Sequence, residues 1–167
     1  MDKLIYCQRD IPKEQWKYGI RPSAQTGCGW IASYNALRIL GEDVTPEQVL
    51  REFTAQLPLV HGTIGTTILA PSFFFKKRGY RISHTARNDR FDTVVNSSDV
   101  CLLFYRWREK LKIGAHFVAL HRTPEGIIGY NTYRNSKGPD RYGESLEKFL
   151  KARKYFGCVL FSIRKGK

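Results

Sequence analysis

The chain has 167 residues, a length for one domain that buries roughly two-thirds of its unfolded surface and builds a core without staples. Its 42% hydrophobic and 26% charged residues exclude disordered and fibrous classes. No apolar run approaches the ~18 residues of a membrane span, and 28 basic against 15 acidic side chains leave a net charge of +13.

The first 27 residues are mixed in character, contain Gly and Pro, and read as an extended arm with short turns. Residues 29–40 fit a helix: Ile31, Tyr34, Asn35 and Arg38 share one side, Ala32, Ala36 and Ile39 another, and Gly41 is the stop. The best-marked element follows. Thr45-Pro46-Glu47-Gln48 supplies an N-cap, a proline at the first helical position and a Gln placed to complete a capping box. That helix runs to about residue 55, with Val49, Leu50 and Phe53 as its apolar stripe. Residues 58–66 read as a loop and 67–77 as a third helix, with Pro71 as its alternative start. A short strand over 80–84 and a short helix over 89–96 follow. Then the character changes. Residues 100–107, 115–121 and 126–132 are β-branched and aromatic runs separated by turn residues. Residues 144–154 return to helical period, acids early and bases late as the helix dipole favours, and 157–164 close with a strand. Helices first and an antiparallel meander after imply an α+β fold, a single domain over 1–167, rather than a parallel βαβ sheet.

Charge is unevenly placed: residues 104–167 carry 15 basic and 5 acidic side chains, a net of +10. This basic C-terminal third is either a solvated face that aids solubility or the contact for an anionic partner. The four cysteines, Cys7, Cys28, Cys101 and Cys158, include no CxxC pair, which excludes a zinc ribbon or thioredoxin-type motif, and they read as reduced thiols. The charged start, Met1-Asp2-Lys3-Leu4-Ile5-Tyr6, does not fit a signal peptide, so a cytoplasmic protein is expected. His116 and His121 are five apart on a strand and point to opposite faces, and Gly62-Thr63-Ile64-Gly65 lacks the lysine of a phosphate loop. Neither a metal nor a cofactor is expected.

One segment stands out: Ser23-Ala24-Gln25-Thr26-Gly27-Cys28-Gly29-Trp30. It places a cysteine at the first turn of a helix, where unpaired N–H groups and the positive dipole end stabilise a thiolate. Gly27 and Gly29 flank the sulfur and let a substrate backbone approach, and Trp30, Tyr130 and Tyr133 are candidates to line a cleft. Position alone equally allows a buried structural cysteine. Two further pieces add weight. Gly114-Ala115-His116-Phe117-Val118 opens a strand with a histidine, and Asn131 closes the next strand. With the turn centred near residue 124, His116 and Asn131 are expected as cross-strand neighbours, the carboxamide fixing the imidazole tautomer as a third triad member must.

The order cysteine, histidine, asparagine, the helix-start cysteine and the strand-pair histidine and asparagine resemble the papain-like cysteine peptidase superfamily. Within it, Cys28-Gly29 opening the first helix, the strand start Gly79-Tyr80 and Ala115-His116-Phe117-Val118 are similar to the C39-type bacterial branch. The resemblance spans about residues 25–132. It implies a papain-like fold and acyl transfer on a peptide or protein substrate. Cys28 would be the nucleophile, His116 the general base and then acid, and Asn131 the orienter. Substrate would lie against Gly27, Gly29, Trp30, Ala115 and Tyr133. It also implies an oxyanion hole made by the Cys28 N–H and a glutamine five or six residues earlier. Those positions are Ser23 and Pro22 here, and Gln25 is three before the cysteine. Either Gln25 reaches the oxyanion by another loop path, or another donor such as Gln15 replaces it. The remaining option is an inactive module that holds a peptide or an anionic partner.

Overall fold

Two hydrophobic clusters lie on opposite faces of one antiparallel sheet, and residue parity decides which side chain joins which. The computed structural model describes residues 4–55, 66–110, 112–132 and 137–166. Among these, six strands form the main sheet: β3 (Arg81–Thr85), β4 (Val100–Glu109), β5 (Lys112–Thr123), β6 (Gly126–Tyr130), β7 (Asp140–Gly143) and β8 (Phe156–Arg164). Their order is β3-β8-β4-β5-β6-β7, with every neighbouring pair antiparallel. Val100, Leu102, Phe104, Phe117, Ala119, Phe161 and Ile163 face one cluster; Cys101, Leu103, Tyr105, Val118, Leu120 and Leu160 face the other. A strand with both faces covered reads as a continuous apolar run, which is the pattern of residues 100–105 and 117–120.

Helices α2 (Cys28–Ile39), α3 (Pro46–Thr54) and α4 (Ala70–Lys77) supply the first cluster, and the short α5 (Phe91–Asn96) and α6 (Leu146–Ala152) the second. Helix α2 is buried from Gly29 through Leu37. A helix apolar nearly all round belongs in an interior rather than on a surface. Its one buried amide, Asn35, is satisfied in both directions by the Ile5 backbone: Ile5 N–H donates to Oδ1 at 2.9 Å, and Nδ2 donates to Ile5 O at 2.8 Å. Helix α3 begins with the reciprocal cap expected of its sequence, Gln48 N–H to Thr45 Oγ1 at 3.3 Å and Thr45 N–H to Gln48 Oε1 at 2.9 Å. Such a cap contributes about 1 kcal/mol.

The α+β fold class is as expected, with four corrections. The meander holds only for β4 to β7: β8 returns to lie between β3 and β4, where its two faces join both clusters. The first 27 residues are not a plain arm. They hold a 3-10 turn (Gln8–Asp10), a small hairpin of β1 (Lys17–Tyr18) with β2 (Arg21–Pro22), and the one-turn helix α1 (Ser23–Thr26). Helix α4 starts at Ala70, with Pro71 in its first turn, rather than at 67. Strand β7 was not foreseen; four residues with Gly143 at φ +80° carry too little pattern to register. The 58–65 loop and Tyr133 lie outside the described residues. All four cysteines are free thiols. No helix among the described residues is long and apolar enough to cross a membrane.

Candidate active site

Cys28 is the first residue of α2 and follows α1 after a single glycine. That glycine is required by space: a Cβ on Gly27 would lie 2.6 Å from both Ser23 O and Trp30 Nε1. Gly29 is held as closely from the other side, where a Cβ would meet Thr66 Oγ1. The α2 start is therefore clasped between α1 and the segment at Thr66, and Cys28 remains half-buried in that clasp. Three backbone N–H groups act on its sulfur, those of Phe117, Gly29 and Cys28 itself, and each favours the thiolate. Burial outweighs them and pushes the thiol up to about 11.

His116 precedes Phe117 on β5 and, by strand parity, projects from the opposite face, on the side of Tyr105. His116, on β5, is fully buried, and its Nε2 lies 2.6 Å from the backbone carbonyl of Asn131. A carbonyl only accepts, so Nε2 carries the hydrogen and Nδ1 is the basic nitrogen of the neutral ring. The ring packs edge-on against Tyr105, its register partner on β4, with centroids 5.9 Å apart. Burial pulls the imidazole down to about 4; the Asn131 carbonyl opposes this, and the Arg9 guanidinium adds to it. Sulfur and imidazole therefore rest as a neutral thiol and a neutral base.

The carboxamide of Asn131 does not serve the histidine. Its Oδ1 accepts from Gln8 N–H at 3.0 Å, and its Nδ2 donates to Gln8 Oε1 at 3.2 Å and to Phe117 O at 3.5 Å. Gln8 in turn donates from Nε2 to Ala24 O at 3.2 Å, so one buried amide pair joins α1, β5 and the end of β6. The expected pairing of 116 with 131 is corrected by the turn. Pro124 and Glu125 form a two-residue connection, Thr123 pairs with Gly126 and Ala119 with Tyr130, which moves the register by two. Asn131 stands past the last pair, at φ +64°, and its backbone turns the carbonyl onto His116.

Of the other expected site residues, Gly27 and Gly29 flank the sulfur, and Ala115 precedes His116 on β5. Trp30 is fully buried and donates from Nε1 to Ser23 Oγ at 3.2 Å, so it braces the α1–α2 junction rather than lining a cleft. Gln25 is exposed on α1, and Gln15 is exposed before the hairpin. The site also contains residues that spacing did not suggest. Gln8 is one, 123 positions from its partner. Tyr18 and Thr66 are others: both hydroxyls are buried with no hydrogen-bond partner among the described residues. Burial raises the Tyr18 pKa and the Thr66 hydroxyl lowers it, so the two hydroxyls are neighbours, and Thr66 also stands against Gly29, next to Cys28. A buried hydroxyl without a partner costs about 1–3 kcal/mol, and such groups gather where another duty holds them in place.

No family model matches the sequence, and no curated protein matches it. The structure does find a counterpart. It is similar to the peptidase domain of Streptococcus ComA, a bi-functional ABC transporter involved in a quorum-sensing pathway, with a TM-score of 0.54 and 12% identity. The match covers 85% of this chain and 93% of that one. At that identity the likeness carries the fold, that of a papain-like C39-type peptidase domain.

Proposed function

On this peptidase-domain fold we propose that the chain is a cysteine-dependent acyl hydrolase acting on a peptide or isopeptide bond. What supports the reading is Cys28 at the N-terminus of α2, on a fold like that of a peptidase domain, together with a buried imidazole on β5 anchored through Nε2. Because the resting pair is neutral, Cys28 attacks the acyl carbon as its thiol proton passes to His116. The tetrahedral oxyanion meets the Cys28 N–H, with the Tyr18 hydroxyl as the second donor in place of a glutamine. The C–N bond breaks as His116 hands its proton to the departing amine. Water then gives a proton to His116 and hydrolyses the thioester, releasing the acid and restoring the thiol. Asn131 acts through its carbonyl, as a positioning residue for the ring.

The test is a mixture of short peptidyl acyloxymethyl ketones read by mass spectrometry. One adduct is expected, on Cys28, with Cys28→Ala unmodified and His116→Gln at least 100-fold slower. Wild type left unmodified would overturn the assignment and favour the second reading, a peptide-holding module without turnover. That reading draws on the exposed position of Gln25.

Tyr18→Phe separates chemistry from structure. Removing an unpartnered buried hydroxyl is expected to leave stability unchanged or raise it by up to about 1 kcal/mol, measured by urea unfolding. Loss of an oxyanion donor is expected to slow turnover by on the order of 10²-fold. A variant as fast as wild type removes Tyr18 from the oxyanion hole.

A further inference from the structure

Strand β4 leads away from the Cys28 site as a line of cations. Phe117, in the cluster that Cys28 packs against, lies against Phe104 with ring centroids 5.0 Å apart. Parity then puts Arg106 and Arg108 on the same face as Phe104, opposite Ala115 and Ile113 of β5. Arg106 lies over the Phe104 ring, 6.0 Å from its centroid, and over Gly157, where a Cβ would come within 3.4 Å of Arg106 Cδ. Two cavities open along this line. The first, about 630 Å³, is bounded by Phe104, Arg106, Val159, Ile68 and the Asn88–Asp89 turn. The second, about 500 Å³, is bounded by Arg108, Lys110, Lys154 and Phe156.

Charge is unbalanced in both. Arg106, Arg108, Lys110 and Lys154 are exposed, and none takes part in an ion pair among the described residues. Asp89 is the carboxylate among the described lining residues, and Arg87 already holds it at 2.8 Å. Lys110 and Lys154 project from left-handed backbone, at φ +51° and +55°, at two chain reversals that flank the second cavity. Phe156, 39% exposed, adds an apolar wall between them.

We propose that this face is the substrate groove of the Cys28 site and that it selects an acidic peptide segment. The assignment rests on the acyl-hydrolase reading for the scissile bond; the binding itself does not depend on turnover. Carboxylates suit it because arginine pairs with them through two parallel N–H bonds, while the Phe104 and Phe156 faces take the intervening side chains. Four residues of extended strand separate Phe104 from Arg108, about 13 Å at ~3.3 Å per residue. Acidic side chains more than four positions from the scissile bond therefore fall on Arg108, Lys110 and Lys154.

The experiment uses fluorescein-labelled 12-residue peptides and the full chain carrying Cys28→Ala, followed by anisotropy. A peptide with four glutamates is expected to bind at least 10-fold more tightly than the same peptide with glutamines, and to weaken as salt rises. The double variant R106E/R108E is expected to abolish that preference, and R51E, an exposed charge reversal on α3, to keep it. The acidic peptide is also expected to slow iodoacetamide alkylation of wild-type Cys28 at pH 9. Equal binding of the two peptides overturns the proposal, as does binding without protection of Cys28. Tighter binding of a 12-nucleotide single-stranded DNA also overturns it, and reassigns the face to nucleic acid. None of these measurements needs catalysis, so failure of the ketone probe would condemn the chemistry while leaving the groove to stand or fall here.

Discussion

Acidification from pH 6.5 to 4 is expected to cost the protein on the order of 3 kcal/mol of folding stability through one side chain, His116. The sign follows from burial. The folded imidazole takes up a proton only near pH 4, whereas in the unfolded chain it does so near 6.5. Between those values the unfolded state binds the extra proton and is favoured. Above 6.5 the contribution is fully present; below about 4 it is fully lost. The half-buried His121 is shifted the same way by burial and adds to the slope. Glu47, Asp89 and Glu125, held below the usual carboxylate range by local hydrogen bonds, also lose stability in acid, but they are surface groups and contribute little. Urea unfolding of wild type and His116→Gln at pH 7 and pH 4.5 isolates the term. The variant keeps a side-chain N–H for the Asn131 carbonyl and cannot titrate, so its stability is expected to fall much less. Parallel losses in both proteins would show that the ring is hydrated. At the alkaline end the direction reverses. Burial raises Cys28 and Cys158 to about 11 and Cys101 to about 12 from an ordinary 9.0. Their contributions are lost as pH climbs above 9, so maximum stability lies between about 6.5 and 9.

Asn131→Ala is expected to cost about 4 kcal/mol, more than a catalytic asparagine at an open site would. The substitution strips partners from a buried Gln8 N–H and from Gln8 Oε1, each worth about 1–3 kcal/mol when left unpaired. It also leaves alanine in left-handed backbone, which asparagine tolerates better, adding about 1 kcal/mol. Asn131→Gly relieves only the backbone part and is expected to recover about that last kcal/mol. Both variants retain the carbonyl that receives His116. If the carboxamide instead oriented the ring, turnover would collapse while stability changed by less than about 1 kcal/mol, and the role given above to the Gln8–Asn131 amide pair would be wrong.

Much of the α+β architecture was legible because its signals are local. The capping box at Thr45 and Gln48 and the stop at Gly41, which sits at φ +85°, are short-range chemistry, as is the apolar run 100–105. Cys28 at a helix start was legible for the same reason. The Asn131 role was not. A two-residue error in the register across Pro124–Glu125 left its neighbourhood right and its hydrogen bonds wrong, because the turn, not the strand pattern, fixes which residues face each other. Gln8 carried no signal, since only folding tells a glutamine on a surface from one that ties three elements together. The place of β8 between β3 and β4 was likewise hidden, because strand order is a property of the whole sheet.

The amide pair of Gln8 and Asn131 spans 123 positions, so the elements around Cys28 cannot come together until the chain has been synthesised past β6. A nascent fragment that has emerged only as far as β4 carries the sulfur without its Phe117 amide, its imidazole or its anchor. The surroundings of the sulfur are thus assembled late, by connectivity alone, once β5 and β6 have been made.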